Sequence, residues 1–264
     1  MLQNKQLTVK KNGMGTRLYG RYEYSINSYL ADSKRQASLP ALFMLLQESA
    51  LRHAETHGFG WEFMTKHDCF WALSRIKVRI EKYPQWQDSV SIETWCKKPD
   101  GLMARRDFEM FTDNSEKILS ATSSWLVLNR ERRLQRISEM ADIFPIIDRN
   151  AMDSSVLNKL PIHGSGELTK SSLKTIPYSA MDMNGHVNNV MYLQWIIDEF
   201  PTGYIQNSDI CEVEINYLQE AVAGQQYYTL VEKCFDDEYL CSIIRCSDSR
   251  ELSRMKLKFK FSTS

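Results

Sequence analysis

Asp182-Met-Asn-Gly-His-Val-Asn-Asn189 places an acid, an imidazole and three carboxamides within eight residues, and Val190-Met-Tyr-Leu-Gln-Trp195 then turns apolar. The polar part reads as the mouth of a site and the apolar part as the helix that carries it. Asp182 and Asn184 are helix-capping residue types. Gly185 lets backbone approach closely. Val187, Val190, Met191 and Trp195 recur at helical spacing, and Pro201 and Gly203 end the run. This spacing predicts that His186 sits at or near a helix N-terminus. Free backbone N–H groups and the helix dipole favour negative charge there. A site that must stabilise an oxyanion needs that arrangement. A lone histidine at a helix start is more often a cap or a packed core residue; the whole string, not His186 alone, points to a site.

The elements that must position this string come in two similar sets. In the first half Tyr22 to Ile26 reads as a short strand. Ser38-Leu39-Pro40 opens a helix, with Ser38 as cap and Pro40 in the first turn. That helix runs to about residue 57 and stops at Gly58. Leu39, Leu42, Phe43, Leu46 and Ala50 share one of its faces. Strand-like runs follow at 70–82, 88–97, 103–113 and 117–129. Ile76, Val78 and Ile80 alternate with Arg75, Lys77, Arg79 and Glu81, the mark of a half-buried strand. The second half repeats the order: a strand near 172–178, the His186 helix, then strands at about 210–219, 225–235, 238–247 and 252–262.

Two anchors suggest duplication. Leu46-Gln47 matches Leu193-Gln194, and Ile76-Lys-Val-Arg-Ile80 matches Val213-Glu-Ile-Asn-Tyr217. On these anchors Leu39 falls where His186 lies and Tyr83 where Glu220 lies. Only the second copy would then carry titratable groups at those places. The linker, about 131–170, is rich in charge and turn residues. The domain boundary is expected at 145/146, giving domains 1–145 and 146–264. The pattern by itself supports an α+β protein with antiparallel strands.

Composition excludes little. Basic and acidic residues balance at 33 each, so global charge favours neither nucleic acid nor a membrane. No apolar run approaches the ~20 residues of a membrane-spanning helix. Met1 to Asn12 is polar and lysine-bearing, unlike a secretion signal. The six cysteines form no Cys-x-x-Cys and read as reduced thiols, mostly in the core, with no zinc expected. A cytoplasmic location is the expectation.

Asp182-x-Asn184-x-His186-Val-Asn-Asn189-x-x-Tyr192 resembles the central-helix motif of the acyl-acyl-carrier-protein thioesterases. The resemblance covers nearly the whole chain. Trp71-Ala-Leu-Ser-Arg-Ile-Lys-Val78 is similar to that family's first long strand. Tyr83-Pro-Gln-Trp86-Gln-Asp88, Ala104-Arg-Arg-Asp107 and Ser120-Ala-Thr-Ser-Ser-Trp125-Leu-Val-Leu-Asn129 are similar to further motifs, in the same order. The Tyr83–Asp88 turn and Arg105, Arg106 and Asp107 read as structural. The resemblance implies a tandem, or double, hot-dog fold: an antiparallel sheet wrapped around two central helices. It departs at Ala221, where plant members typically carry the cysteine once cast as a nucleophile. Ala221 cannot play that part.

The implied activity is hydrolysis of a fatty acyl-carrier thioester, without metal or cofactor. Glu220 matches the family's glutamate and is the candidate general base. His186 would share that duty or orient the water. A covalent role for Glu220, through an anhydride, stays open. Backbone N–H groups of His186–Asn188 and the Asn184 side chain are the oxyanion candidates, with Asp182 orienting Asn184 or His186 by hydrogen bonding, or acting as a plain cap. Asn188 is a candidate substrate contact, although structural hydrogen bonding is the commoner role for Asn188 and Asn189. Leu39, Leu42, Phe43 and Leu46 could line an acyl tunnel or simply fill the core.

The partner would be an acyl carrier protein with its phosphopantetheine-linked chain, met by Arg75, Lys77 and Arg79 or by Arg130-Glu-Arg132-Arg133. Such runs are usually solvated faces. No nucleic acid and no stable membrane association are expected, and a homodimer is possible. His53, His57, His67 and His163 read as surface or packing residues. The competing functions are a hot-dog acyl-CoA thioesterase, a dehydratase on the same fold, and a non-catalytic acyl-thioester sensor.

Overall fold

The computed structural model describes residues 18–137, 141–153, 157–164 and 166–261. The polar stretch from Met1 to Asn12 lies outside them. The first half contains β1 (Tyr19–Ser25), α1 (Leu39–Thr56), α2 (Trp61–Lys66), β2 (Cys69–Ile80), β3 (Ser89–Asp100), β4 (Met103–Thr112) and β5 (Lys117–Asn129). The second contains β6 (Leu168–Lys170), β7 (Lys174–Thr175), α3 (Asn189–Ile197), α4 (Thr202–Gln206), β8 (Ser208–Tyr217), β9 (Gln226–Lys233), β10 (Glu238–Arg245) and β11 (Glu251–Phe261).

All these strands join one antiparallel sheet in the order β1-β3-β4-β5-β2-β8-β11-β10-β9-β6, with β7 also on β9. The order in the second half mirrors that in the first across the β2–β8 seam. There Ile76 faces Ile215 and Val78 faces Val213. Leu42 and Leu46 of α1 and Leu193 and Ile196 of α3 join sheet residues such as Ile92, Val213 and Ile243 in one apolar cluster. This is the tandem hot-dog arrangement, α+β as expected.

The seam uses up the basic row on β2. Lys77 Nζ lies 2.7 Å from Glu212 and 3.8 Å from Glu214, and Arg79 Nε lies 3.3 Å from Glu212. Arg75 donates to the Leu157 carbonyl. These three residues hold the halves together rather than offering a free basic surface. Among the cysteines only Cys96 and Cys241 are buried, and Cys234 is exposed, so "mostly core" overstated their burial.

The loops before the two long helices match in detail. Short 3-10 turns at Ser28–Leu30 and Tyr178–Ala180 lead in. Asp32 N donates to Gln36 O at 2.8 Å, and Asp182 N donates to His186 O at 2.7 Å. Asp32 Oδ1 accepts from the N–H groups of Lys34 and Gln36. Asp182 Oδ1 accepts from those of Asn184 and His186. Arg35 and Gly185 take positive φ, 62° and 77°. The caps are Ser38 and Asn188.

His186 therefore corresponds to Gln36, not to Leu39. The Leu-Gln anchor misled because α1 has 18 residues and α3 only 9, so the helices cannot be matched along their length. The strand anchor is sound: Ala37 N donates to Pro84 O as Val187 N does to Ala221 O, which pairs Tyr83 with Glu220. The first copy is not free of titratable groups either, but they are engaged. Lys34 and Gln36 both bind Asp209, and Tyr83 donates to Ile210 O at 2.8 Å. Polar side chains plug the position where the second half keeps an opening.

Residues 146–152, beyond the expected boundary, lie on the first half's sheet. Trp95 Nε1 donates to Arg149 O, and Ala151 N donates to buried Asp107. Near this strap a polar cluster is sealed in. His53 is 0% exposed. Its Nδ1 accepts from Arg106 at 3.1 Å and its Nε2 faces Leu18 O at 3.3 Å, partners that assign the neutral Nε2–H tautomer. Burial, then the Arg106 charge, push its pKa down to about 2.

A depressed histidine pKa contributes stability fully above the unfolded value, ~6.5, and loses it as pH falls below that toward the folded value. Chemical denaturation should accordingly show stability falling by up to ~1.4 kcal/mol per pH unit below ~6.5 through this one group. His53→Gln should flatten that slope. An unchanged slope in a folded variant would show that His53 is not the group responsible.

Candidate active site

α3 begins at Asn189, capped by Asn188, whose Oδ1 accepts from Val190 N at 3.0 Å. Asp182 and Asn184 are therefore not caps, and His186 lies in the loop before the helix. The reason is local. Asp182 accepts from Asn184 N and His186 N, and this turns the chain into a compact loop in place of a first helical turn. Asn184 Nδ2 reaches Asp182 at 3.3 Å and is exposed. Asp182 thus orients the His186 loop, one of the two roles expected for it.

Glu220 follows β8 on a segment held from several sides. Val187 N donates to Ala221 O at 2.9 Å, tying the histidine loop to it directly. Arg245 Nη1 donates to Glu220 O at 3.2 Å. Leu218 N and Gln219 N both donate to Leu252 O. The result brings Glu220 Oε2 within 3.8 Å of His186 Nε2. The pairing of His186 with Glu220, read from residues distant in sequence, is present in the fold.

Arg132 completes the cluster. Its Nη2 lies 2.7 Å from His186 Nε2, and its guanidinium pairs with the Glu220 carboxylate. Nε2 must accept in that contact, which places the ring proton on Nδ1. Burial lowers the His186 pKa from its ordinary value, Arg132 adds to the effect, and Asp182 works against it. The imidazole is neutral near neutral pH. The sequence offered Arg132 only as part of a surface cluster, and no local signal separates it from Arg130 or Arg133.

The backbone N–H groups expected to form an oxyanion hole are already taken. His186 N donates to Asp182, Val187 N to Ala221 O and Asn188 N to Ala180 O. All three donors face inward because they build the loop.

A cavity of about 900 Å³ opens beside the cluster. Asp182, Asn184, His186, Asn188, Glu220 and Arg132 border it together with first-half residues Ala50, Leu51, Ala54, Phe59, Trp71, Leu73 and Phe144. Asn188 therefore both caps α3 and lines the cavity. Leu39, Leu42, Phe43 and Leu46 do not border it. They are at most 6% exposed and pack in the core under the sheet. The wall of α1 is a neighbouring stripe: Gln47, Ala50, Leu51 and Ala54. Ala50 belongs to both faces, and Leu51 and Ala54 are as apolar as the core stripe, so the sequence could not tell core from wall. What remains is a neutral imidazole, a carboxylate and a guanidinium at the mouth of a largely apolar chamber.

Two family models match the chain: the acyl-ACP thioesterase N-terminal domain over residues 18–144 and the acyl-ACP thioesterase C-terminal domain over residues 166–262. A palmitoyl-acyl carrier protein thioesterase of Arabidopsis thaliana is 32% identical over 76% of this chain and 52% of its own length. The chain thus spans about half the length of the curated relatives it matches. The solved 12:0-ACP thioesterase from Umbellularia californica superposes with a TM-score of 0.82 at 25% identity, covering 94% of this chain and 99% of that one. An acyl-ACP thioesterase from Bacteroides thetaiotaomicron, 22% identical, shares the fold with a TM-score of 0.83 over 92% of this chain and 98% of its own. With both halves matched in order, the chain belongs to the acyl-ACP thioesterase family.

Proposed function

We propose that the protein hydrolyses the thioester of fatty acyl-acyl carrier protein to free fatty acid and carrier protein. The observation that carries this reading is the Glu220–His186 pair beside a largely apolar cavity. A long acyl chain needs such a cavity, and its thioester needs a base beside it.

The Glu220 carboxylate takes a proton from water as the water oxygen bonds to the carbonyl carbon. The carbonyl electron pair moves onto oxygen. When the C=O bond reforms, the C–S bond breaks and the pantetheine thiolate leaves with the proton held by Glu220. Ala221, next to Glu220, offers no thiol, so water is the nucleophile in this reading. His186 is neutral and its Nε2 lone pair faces Arg132, so it orients the charged groups rather than serving as the base.

Incubation with acyl carrier proteins of different chain lengths tests the reading. Free fatty acid and free carrier thiol should appear in equal amounts. Intact thioester throughout, or a clear preference for acyl-CoA, would remove it.

Chain-length preference should follow the first-half wall. Ala54 is small, faces the cavity and packs beside Phe59 and Cys96. Ala54→Phe should shift the product profile toward shorter acids. Leu46→Trp should instead overpack the core, costing ~1–3 kcal/mol, and leave the profile unchanged. A folded Ala54→Phe enzyme with the wild-type profile would place the chain-measuring wall elsewhere.

A further inference from the structure

The charge that develops on a thioester oxygen under attack needs donors aimed at it. The N–H groups of His186, Val187 and Asn188 cannot serve, because Asp182, Ala221 and Ala180 already hold them. A different donor stands in the cluster. Arg132 lies in the turn after β5, in the first half. That turn is built to hold it: Arg132 N donates to Asn129 O at 2.9 Å, Arg133 N to Asn129 Oδ1 at 2.8 Å, and Arg132 takes a φ of 61°. A non-glycine residue at such a φ costs of order 1 kcal/mol and clusters at functional sites.

The side chain crosses to the second half and borders the cavity. One N–H meets His186 Nε2, another side meets Glu220, and a guanidinium has more N–H donors than these partners use. Among the described residues, Arg132 is the cation paired with the Glu220 side chain.

We propose that Arg132 is a catalytic residue whose guanidinium binds the thioester carbonyl oxygen and stabilises the oxyanion formed when water attacks. The inference rests on the thioesterase reading of the same site. His186 then has a defined role, since its neutral Nε2 accepts from the guanidinium and aims the remaining N–H groups into the cavity. Glu220 takes the proton from water, and Arg132 carries the opposite end of the charge displacement. The site is assembled from both halves, with the base and imidazole from one and the electrophile from the other. Lysine is a poor substitute, since an ammonium is a compact point charge without the planar fork.

Arg132→Ala and Arg132→Lys, each checked by a thermal melt, should be assayed on two substrates with the same acyl chain: acyl carrier protein and the small neutral acyl-pantetheine. Arg132→Ala should lower kcat by ~10²–10³-fold on both, the usual loss for one oxyanion donor, with KM little changed. Added guanidinium ion should restore part of that kcat in Arg132→Ala and none in wild type, a rescue that a structural role would not give. Arg132→Lys should keep the fold and still lose at least ~10-fold in kcat.

A rise in KM confined to the carrier substrate would make Arg132 a docking contact and overturn the proposal. A kcat equal to or above wild type would make it a latch on Glu220 and overturn it too. If Arg132→Ala does not fold, Arg132→Lys decides by its kcat. Wild type that releases no fatty acid from either substrate would remove the thioesterase reading itself. Wild-type turnover unaffected by Arg132 changes would remove only this inference.

Discussion

Glu220→Gln should lower kcat/KM on acyl carrier protein by ~10²–10⁴-fold, the range for losing a positioned general base. Glutamine keeps the shape and removes the proton acceptor. The fold should survive, because the segment is held through backbone groups: Val187 N on Ala221 O and Arg245 on Glu220 O. The side chain itself is 31% exposed and, among the described residues, is paired with Arg132 and His186. A melting curve close to wild type, with the rate lost, is the expected pair of results. A folded Glu220→Gln enzyme within a few-fold of wild type would show that another group activates the water.

The second large effect belongs to His186. His186→Ala should cost kcat ~10²-fold or more, while KM changes little, because the imidazole aligns charged groups that matter most as charge develops. Its pH behaviour is distinctive. Burial first, and Arg132 second, lower its pKa despite Asp182. The neutral form is therefore favoured in the folded protein. Activity that depends on it should persist as pH falls through ~6.5, the ordinary histidine value, and decline only below. Following the ring protons of His186 by NMR gives the direct measurement. An imidazole that titrates at or above the ordinary value would mean it is charged when working, and the aligning role would have to be abandoned.

Near-neighbour patterns are enough for the element order and the two similar halves, whereas the pairing of His186 with Glu220 came from the family resemblance. Strand alternation, the Ser38 cap and the stop at Gly58 are signals between near neighbours, and they act the same way in any surroundings. The motif around His186 marks a loop that borders the cavity. It did not show that Asp182 would turn that loop on itself, because a capping residue and a loop-closing residue offer the same carboxylate.

Contacts between residues far apart in the chain are fixed by the fold alone. Arg132 and His186 are separated by 54 positions, and the sheet that joins the halves along β2 and β8 brings them to hydrogen-bonding distance. The same seam turned Lys77 and Arg79 from a basic row into internal ion pairs with Glu212. On α1, Leu51 and Ala54 line the cavity, while Leu42 and Leu46 are core. Periodicity tells that a helix face is buried. Whether that face meets another side chain or an open space depends on the size of what lies opposite, and that is set across the sheet rather than along the chain.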